Sequence, residues 1–245
     1  MKKTFLAALA TGLLVVGMGG VAQALPALQL DIAGGIYDPI TQTTIASTDP
    51  FDLYAFLVEK DRNLVGDKYY ISAAIWRTVS TAQDLGSFTF NGQTIYVTGK
   101  DDGDATNDMT FGTPPLSALY PDLGSHGIFP TYYKEFEFQF TAGVDIAPYD
   151  VQTFAGFPAS LDGTGMYYKS FAVDTSGLED GYIIHFDLYN MNIKTSNDKT
   201  QTLFAPFSHD AQSGPGGDPV PEPATMLLFG TGLAGLAAVA RRRKN

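Results

Sequence analysis

Apolar side chains in this chain alternate with polar ones instead of recurring at helical spacing. Leu28, Leu30 and Ile32 are interleaved with Gln29 and Asp31, and Phe136, Phe138 and Phe140 with Glu135, Glu137 and Gln139. That period of two puts one face of a strand against a core and the other in water. Between the two chain ends no apolar stripe of 3.6-residue period lasts three turns, so helical architectures are excluded. Longer runs at residues 51–58, 69–76 and 182–189 are aromatic or β-branched on both faces, which suits strands inside a sheet or strands whose outer face is covered.

One hairpin can be read to the residue. Ser87-Phe88-Thr89-Phe90 and Gln93-Thr94-Ile95-Tyr96-Val97 flank Asn91-Gly92, two adjacent residues that tolerate positive φ and so form a tight primed turn. Counting outward pairs Phe90 with Gln93 and Phe88 with Ile95, which puts Phe88, Phe90, Ile95 and Val97 on one face. Gly34-Gly35, Asp38-Pro39, Asp49-Pro50, Gly66-Asp67, Pro114-Pro115, Asp162-Gly163 and Asp180-Gly181 punctuate the remaining runs. The expected fold is all-β: two antiparallel sheets packed face to face, of jelly-roll or immunoglobulin-like kind. No internal repeat is visible, which argues against a propeller or solenoid.

Both ends differ from this middle. Met1-Lys2-Lys3 precedes an apolar stretch with glycines at 12, 17, 19 and 20, and then Ala22-Gln23-Ala24. These are the positive region, apolar region and small-x-small cleavage site of a signal peptide. Signal peptidase is therefore expected to cut after Ala24 and leave residues 25–211 as the exported domain. Residues 212–219 turn to Gly, Pro, Ser and Asp, the composition of a flexible tether. Val220-Pro221-Glu222-Pro223-Ala224-Thr225 follows, then an apolar run to Ala240, then Arg241-Arg242-Arg243-Lys244-Asn245. As a helix, residues 224–240 would cover about 25 Å, just enough to span a hydrocarbon core of about 30 Å with local thinning. The terminal cations form a cytoplasmic stop, and everything before Pro221 then lies on the far side of that membrane.

This tail closely resembles the PEP-CTERM sorting signal of Gram-negative bacteria, in which a Pro-Glu-Pro motif, one apolar segment and a basic cluster occur in this order at the extreme C-terminus. The resemblance implies transient insertion in the inner membrane, processing by exosortase, and association with exopolysaccharide and biofilm. It makes Pro221, Glu222 and Pro223 recognition residues for the processing enzyme. A second resemblance covers residues 25–211. Leu28-Gln29-Leu30-Asp31-Ile32, Asp49-Pro50-Phe51, Phe186-Asp187-Leu188-Tyr189 and the stretch from Ala205 through His209-Asp210-Ala211 look like the choice-of-anchor N domains of exported bacterial proteins, a name that carries no activity with it.

Composition narrows the chemistry. Without cysteine there can be no disulfide, lipobox anchor, thioether-linked haem or cysteine-ligated metal. Six of the 15 cations but only one of the 26 acids lie in the two end segments, so the −11 of the whole chain becomes about −16 in the exported domain. Nucleic acid and anionic lipid are poor partners for such a surface.

Candidate sites are few. Asp101-Asp102-Gly103-Asp104-Ala105-Thr106-Asn107-Asp108 concentrates hard oxygen donors on a loop without the offsets of an EF-hand. If it binds an ion, that ion is calcium, with Asp102, Asp104 and Asp108 as first ligands and Asp101 next; a solvated acidic loop is the simpler reading. His185 alternates with Ile184 and Phe186 and reads as a hydrogen-bonded structural histidine beside Ile183 and Asp187. His126 sits in a glycine-flanked turn, and His209 is expected to pair locally with Asp210. Trp76, the single tryptophan, ends an apolar strand and reads as core packing. There is no Gly-x-Ser-x-Gly elbow, His-Glu-x-x-His helix or phosphate-binding glycine loop. The favoured function class is a noncatalytic surface or matrix protein. The alternative is an extracellular carbohydrate-active enzyme or glycan-binding module carried by the same tail.

Overall fold

The computed structural model describes residues 25–60, 63–76, 84–98, 108–112, 130–154, 156–196, 199–204 and 210–214. Among these residues every regular element is a strand. A smaller sheet has the order β1 (Leu28–Ile32), β4 (Phe51–Leu57), β11 (Met166–Asp174), β6 (Ser87–Phe90) and β7 (Gln93–Tyr96), with β10 (Asp145–Ile146) also on β11. The larger sheet runs β2 (Ile36–Asp38), β3 (Thr43–Ile45), β14 (Asp210–Gln212), β12 (Ile183–Ser196), β5 (Tyr69–Trp76), β9 (Thr131–Phe138) and β8 (Thr110–Gly112), with β13 (Lys199–Phe204) also on β12. The three runs that are apolar on both faces became β4, β5 and β12, each with a partner on both sides. No helix among the described residues is long and apolar enough to cross a membrane; the apolar tail and the leader lie outside them.

The sheets share one core. From the smaller come Leu28, Leu30, Ile32, Leu53, Leu57, Phe88, Phe90 and Phe171, and from the larger Tyr69, Ile71, Ile75, Ile184, Phe186 and Leu188. Rings cross between the layers: Phe90 stacks on Phe136 with centroids 4.0 Å apart, Phe138 meets Phe171 edge-on at 5.0 Å, and Phe51 meets Phe186 at 6.3 Å. The β6–β7 hairpin has the expected register, Phe88 opposite Ile95 and Phe90 opposite Gln93. Asn91 and Gly92 take φ of 50° and 77°, and Phe88, Phe90, Ile95 and Val97 are all buried. The turn is also pinned from outside, since Ala172 N–H donates to Asn91 Oδ1 at 3.0 Å and Asn91 N–H to the Ala172 carbonyl at 2.8 Å.

Two expectations need correction. One pair is parallel: β14 runs alongside β3, Asp210 against Thr43 and Gln212 against Ile45. The two strands come from opposite ends of the domain, so the length of chain between them leaves their direction free, where a short connection would impose antiparallel pairing. The other correction concerns β1. Its Gln29 and Asp31 do not face water but are 1% and 5% exposed. The chain around Ile146, Tyr149 and Val151 folds over that face with Phe56 and Met166 as a second, smaller core.

The cover is held by hydrogen bonds to the two polar side chains of β1. Gln29 Nε2 donates to the Tyr149 carbonyl at 2.8 Å, and Val151 N–H donates to Gln29 Oε1 at 3.3 Å. Tyr149 O–H donates to Asp31 Oδ2 at 2.7 Å, and Ile32 N–H to Asp31 Oδ1 at 2.8 Å. Burial outweighs these bonds and lifts the Asp31 carboxyl to about 6. At the end of the same segment Gly163 has φ 120°, and a Cβ there would lie 2.4 Å from Ala147 N. Gly163→Ala should therefore cost about 2 kcal/mol or more through strain and displacement of the cover. Urea titration checks this against Gly66→Ala, which should be near neutral because a Cβ there meets nothing within 4 Å.

Candidate functional site

Residues two apart on a strand project from the same face, so His185 and Asp187 of β12 point together, away from the core that takes Ile184, Phe186 and Leu188. β14 pairs antiparallel with β12, His185 against Gln212 and Phe186 against Ala211. One further step in that register brings Asp210 opposite Asp187. On the other side of β12, β5 places Ser72 opposite Asp187, Ala74 opposite His185 and Trp76 opposite Ile183. The result is a compact polar group across three neighbouring strands of the larger sheet.

Its geometry is tight. His185 Nε2 lies 3.6 Å from Asp187 Oδ1 and 3.9 Å from Asp210 Oδ2, beyond ordinary hydrogen-bond reach. One ligand atom from each of the three residues lies within 4.8 Å of the other two. His185 Nδ1 and Ser72 Oγ are buried and make no hydrogen bond among the described residues. Asp210 is 1% exposed and Ser72 0%. Burial first, and then the charge of Asp187, push the Asp210 carboxyl well above the usual carboxylate range. The Trp76 ring packs against the imidazole with centroids 5.2 Å apart.

Two expectations about single residues change here. His185, 12% exposed, lies beside Asp187 as expected, but among the described residues its buried Nδ1 lacks the hydrogen bond that a purely structural histidine would be given. Trp76 is only partly buried and lies on the face away from the shared core, because the alternation of β5 assigns the core to Tyr69, Ile71, Ala73 and Ile75. Further along this face Tyr189 stacks on Tyr70 at 5.5 Å. Tyr189 O–H donates to Glu135, and Tyr70 O–H to Glu137 at 2.9 Å.

Of the residues singled out in the acidic stretch, Asp108 is described. It forms a bridge with Tyr96, and its main-chain carbonyl accepts from Lys134 Nζ at 3.3 Å. Asp101, Asp102 and Asp104 lie outside the described residues, as do His126, His209, Ala22, Ala24, Pro221, Glu222, Pro223 and the basic cluster at 241–244. Sequence reasoning placed His185 beside Asp187 but missed Asp210 and Ser72. The His-x-Asp spacing on an apolar strand was the available signal; the two partners depend on pairings with distant segments.

Comparison with known proteins locates one feature. No curated protein and no solved structure matches the chain. Residues 219–244 match the PEP-CTERM protein-sorting motif, a signal that directs export to the cell envelope or surface. The chain thus joins an all-β domain of two sheets to a tail similar to those that mark exosortase-processed extracellular proteins.

Proposed function

We propose that this is a noncatalytic cell-surface or matrix protein of a Gram-negative bacterium, exported through the inner membrane, held there transiently by its tail, processed by exosortase and delivered to an exopolysaccharide layer. The observation that carries this reading is the sorting motif at residues 219–244, placed behind a β-domain and a Gly/Pro/Ser tether. A β-sandwich of jelly-roll or immunoglobulin-like kind, similar to choice-of-anchor N domains, suits that role, because such a domain supplies a stable body independent of its anchor. The charge balance agrees with a glycan-rich rather than a nucleic-acid environment.

Mass spectrometry of the protein recovered from an exosortase-competent host should show an N-terminus at Leu25 and no residues 226–245. The same protein from a host lacking exosortase should keep its tail. An intact Lys244-Asn245 terminus in the competent host would mean plain anchoring and end the proposal. Replacing Arg241, Arg242, Arg243 and Lys244 with neutral residues removes four charges that each resist entry to the bilayer centre by about 2.5–3.5 kcal/mol. That variant should lose its membrane pause and accumulate unprocessed, read by fractionation and blotting. Normal processing would show the cluster to be dispensable.

A further inference from the structure

We propose that His185, Asp187 and Asp210 bind a divalent first-row transition metal ion, with Ser72 lining the same site. The donor set is one imidazole nitrogen and two carboxylate oxygens, all within 4.8 Å of one another. Bonds of about 2.0–2.2 Å to nitrogen and oxygen in tetrahedral array put neighbouring donors about 3.4 Å apart. The two donor separations of 3.6 and 3.9 Å close to that value with shifts of a few tenths of an ångström. They are too long for hydrogen bonds yet near the spacing around a small cation.

Charge gives a second reason. Two carboxylates in facing positions of adjacent strands repel, and burial removes the water that would screen them. The side chains of His185, Asp187 and Asp210 are 12%, 10% and 1% exposed. A divalent cation with two carboxylates and a neutral imidazole makes an electrically neutral group, the state that a buried site tolerates.

Ser72 is a third and independent observation. It is fully buried, its hydroxyl makes no hydrogen bond among the described residues, and it stands directly opposite Asp187 on the face that includes Trp76. A neutral oxygen at that position can ligate the ion or hold a metal-bound water. The packed Trp76 ring fixes the plane of the imidazole. Calcium fits less well, because it takes six to eight oxygens and has little use for nitrogen, whereas imidazole with carboxylate suits zinc, manganese or iron. An enclosed group of this kind pins β14 to β12 by coordination, just before the tether.

The test uses the processed protein purified from its host, stripped with chelator and titrated with zinc chloride, then separately with manganese and calcium chloride. One equivalent of zinc should bind per chain and raise the thermal midpoint, with calcium at equal concentration doing neither. Asp187→Asn and His185→Gln should each weaken zinc binding by about a hundredfold or more, while Asp102→Asn with Asp104→Asn should leave it unchanged. Should either site variant misfold, cobalt absorption of the wild-type protein decides the matter, since a bound imidazole and carboxylate set gives a d–d spectrum unlike that of hydrated cobalt. No saturable zinc binding by the stripped wild type, a hydrated-cobalt spectrum, or equal binding by the folded site variants would overturn the proposal.

Discussion

Phe90→Ala should destabilise the domain by about 3–5 kcal/mol, the range for removing a buried aromatic ring and leaving the space unfilled. Phe90 is 3% exposed. Its ring stacks on Phe136 of the opposite sheet at 4.0 Å and on Phe171 of its own at 5.1 Å. Truncation therefore removes burial and a contact that joins the layers, at a position one residue from a tight turn that cannot move to fill the gap. Phe111, 39% exposed and touching Tyr132 at 5.2 Å, is the control: Phe111→Ala should cost less than about 1 kcal/mol. Urea titrations of the two variants returning similar losses would show that the ring stack between the sheets does not carry the core.

The second large effect is a pH dependence that runs opposite to the usual carboxylate case. Folding raises the Asp31 carboxyl from 3.8 to about 6, so the folded state holds this proton more tightly than the unfolded chain. Its favourable contribution is complete below pH 3.8 and is lost as pH rises through about 6. The difference amounts to about 3 kcal/mol at neutral pH. The amide of Asp31→Asn can accept from Ile32 N–H and donate to the Tyr149 oxygen without ever ionising. The stability of this variant relative to wild type should therefore increase between pH 3 and pH 8 by about 3 kcal/mol, about half of that between pH 5 and pH 8. Parallel stability profiles for the two proteins over that range would refute the assignment.

How much of this was readable beforehand depended on the distance over which each feature is set. The Asn91-Gly92 hairpin is a local object, in which turn chemistry and alternation dictate register within ten residues, and the structure follows it. Core faces were equally legible wherever polar partners stayed in water, as in Phe138 and Phe140 against Glu137. Gln29 and Asp31 were misread because alternation says only which side chains are polar. It cannot say that Tyr149 and Val151, far along the chain, will fold back to satisfy them. Trp76 was assigned to the core because it ends an apolar strand, although its position, out of phase with Ile71, Ala73 and Ile75, already put it on the other face. The meeting of Asp210 with Asp187 needed the pairing of a three-residue strand, which no local pattern announces.

The place of that short strand also decides how the domain meets a mechanical load. β14 is the last of the described strands, and it lies inside the larger sheet, between β3 and β12. A pull applied from the C-terminal side along the axis of β14 would load both of its ladders at once. Ladder hydrogen bonds run across that axis, so they are sheared together on both flanks and not peeled one at a time. Ala46 N–H on the Gln212 carbonyl at 2.9 Å and Ser213 N–H on the Ile184 carbonyl at 2.9 Å extend the grip past the strand on either side. A strand gripped in this way resists such a pull until its ladders break together.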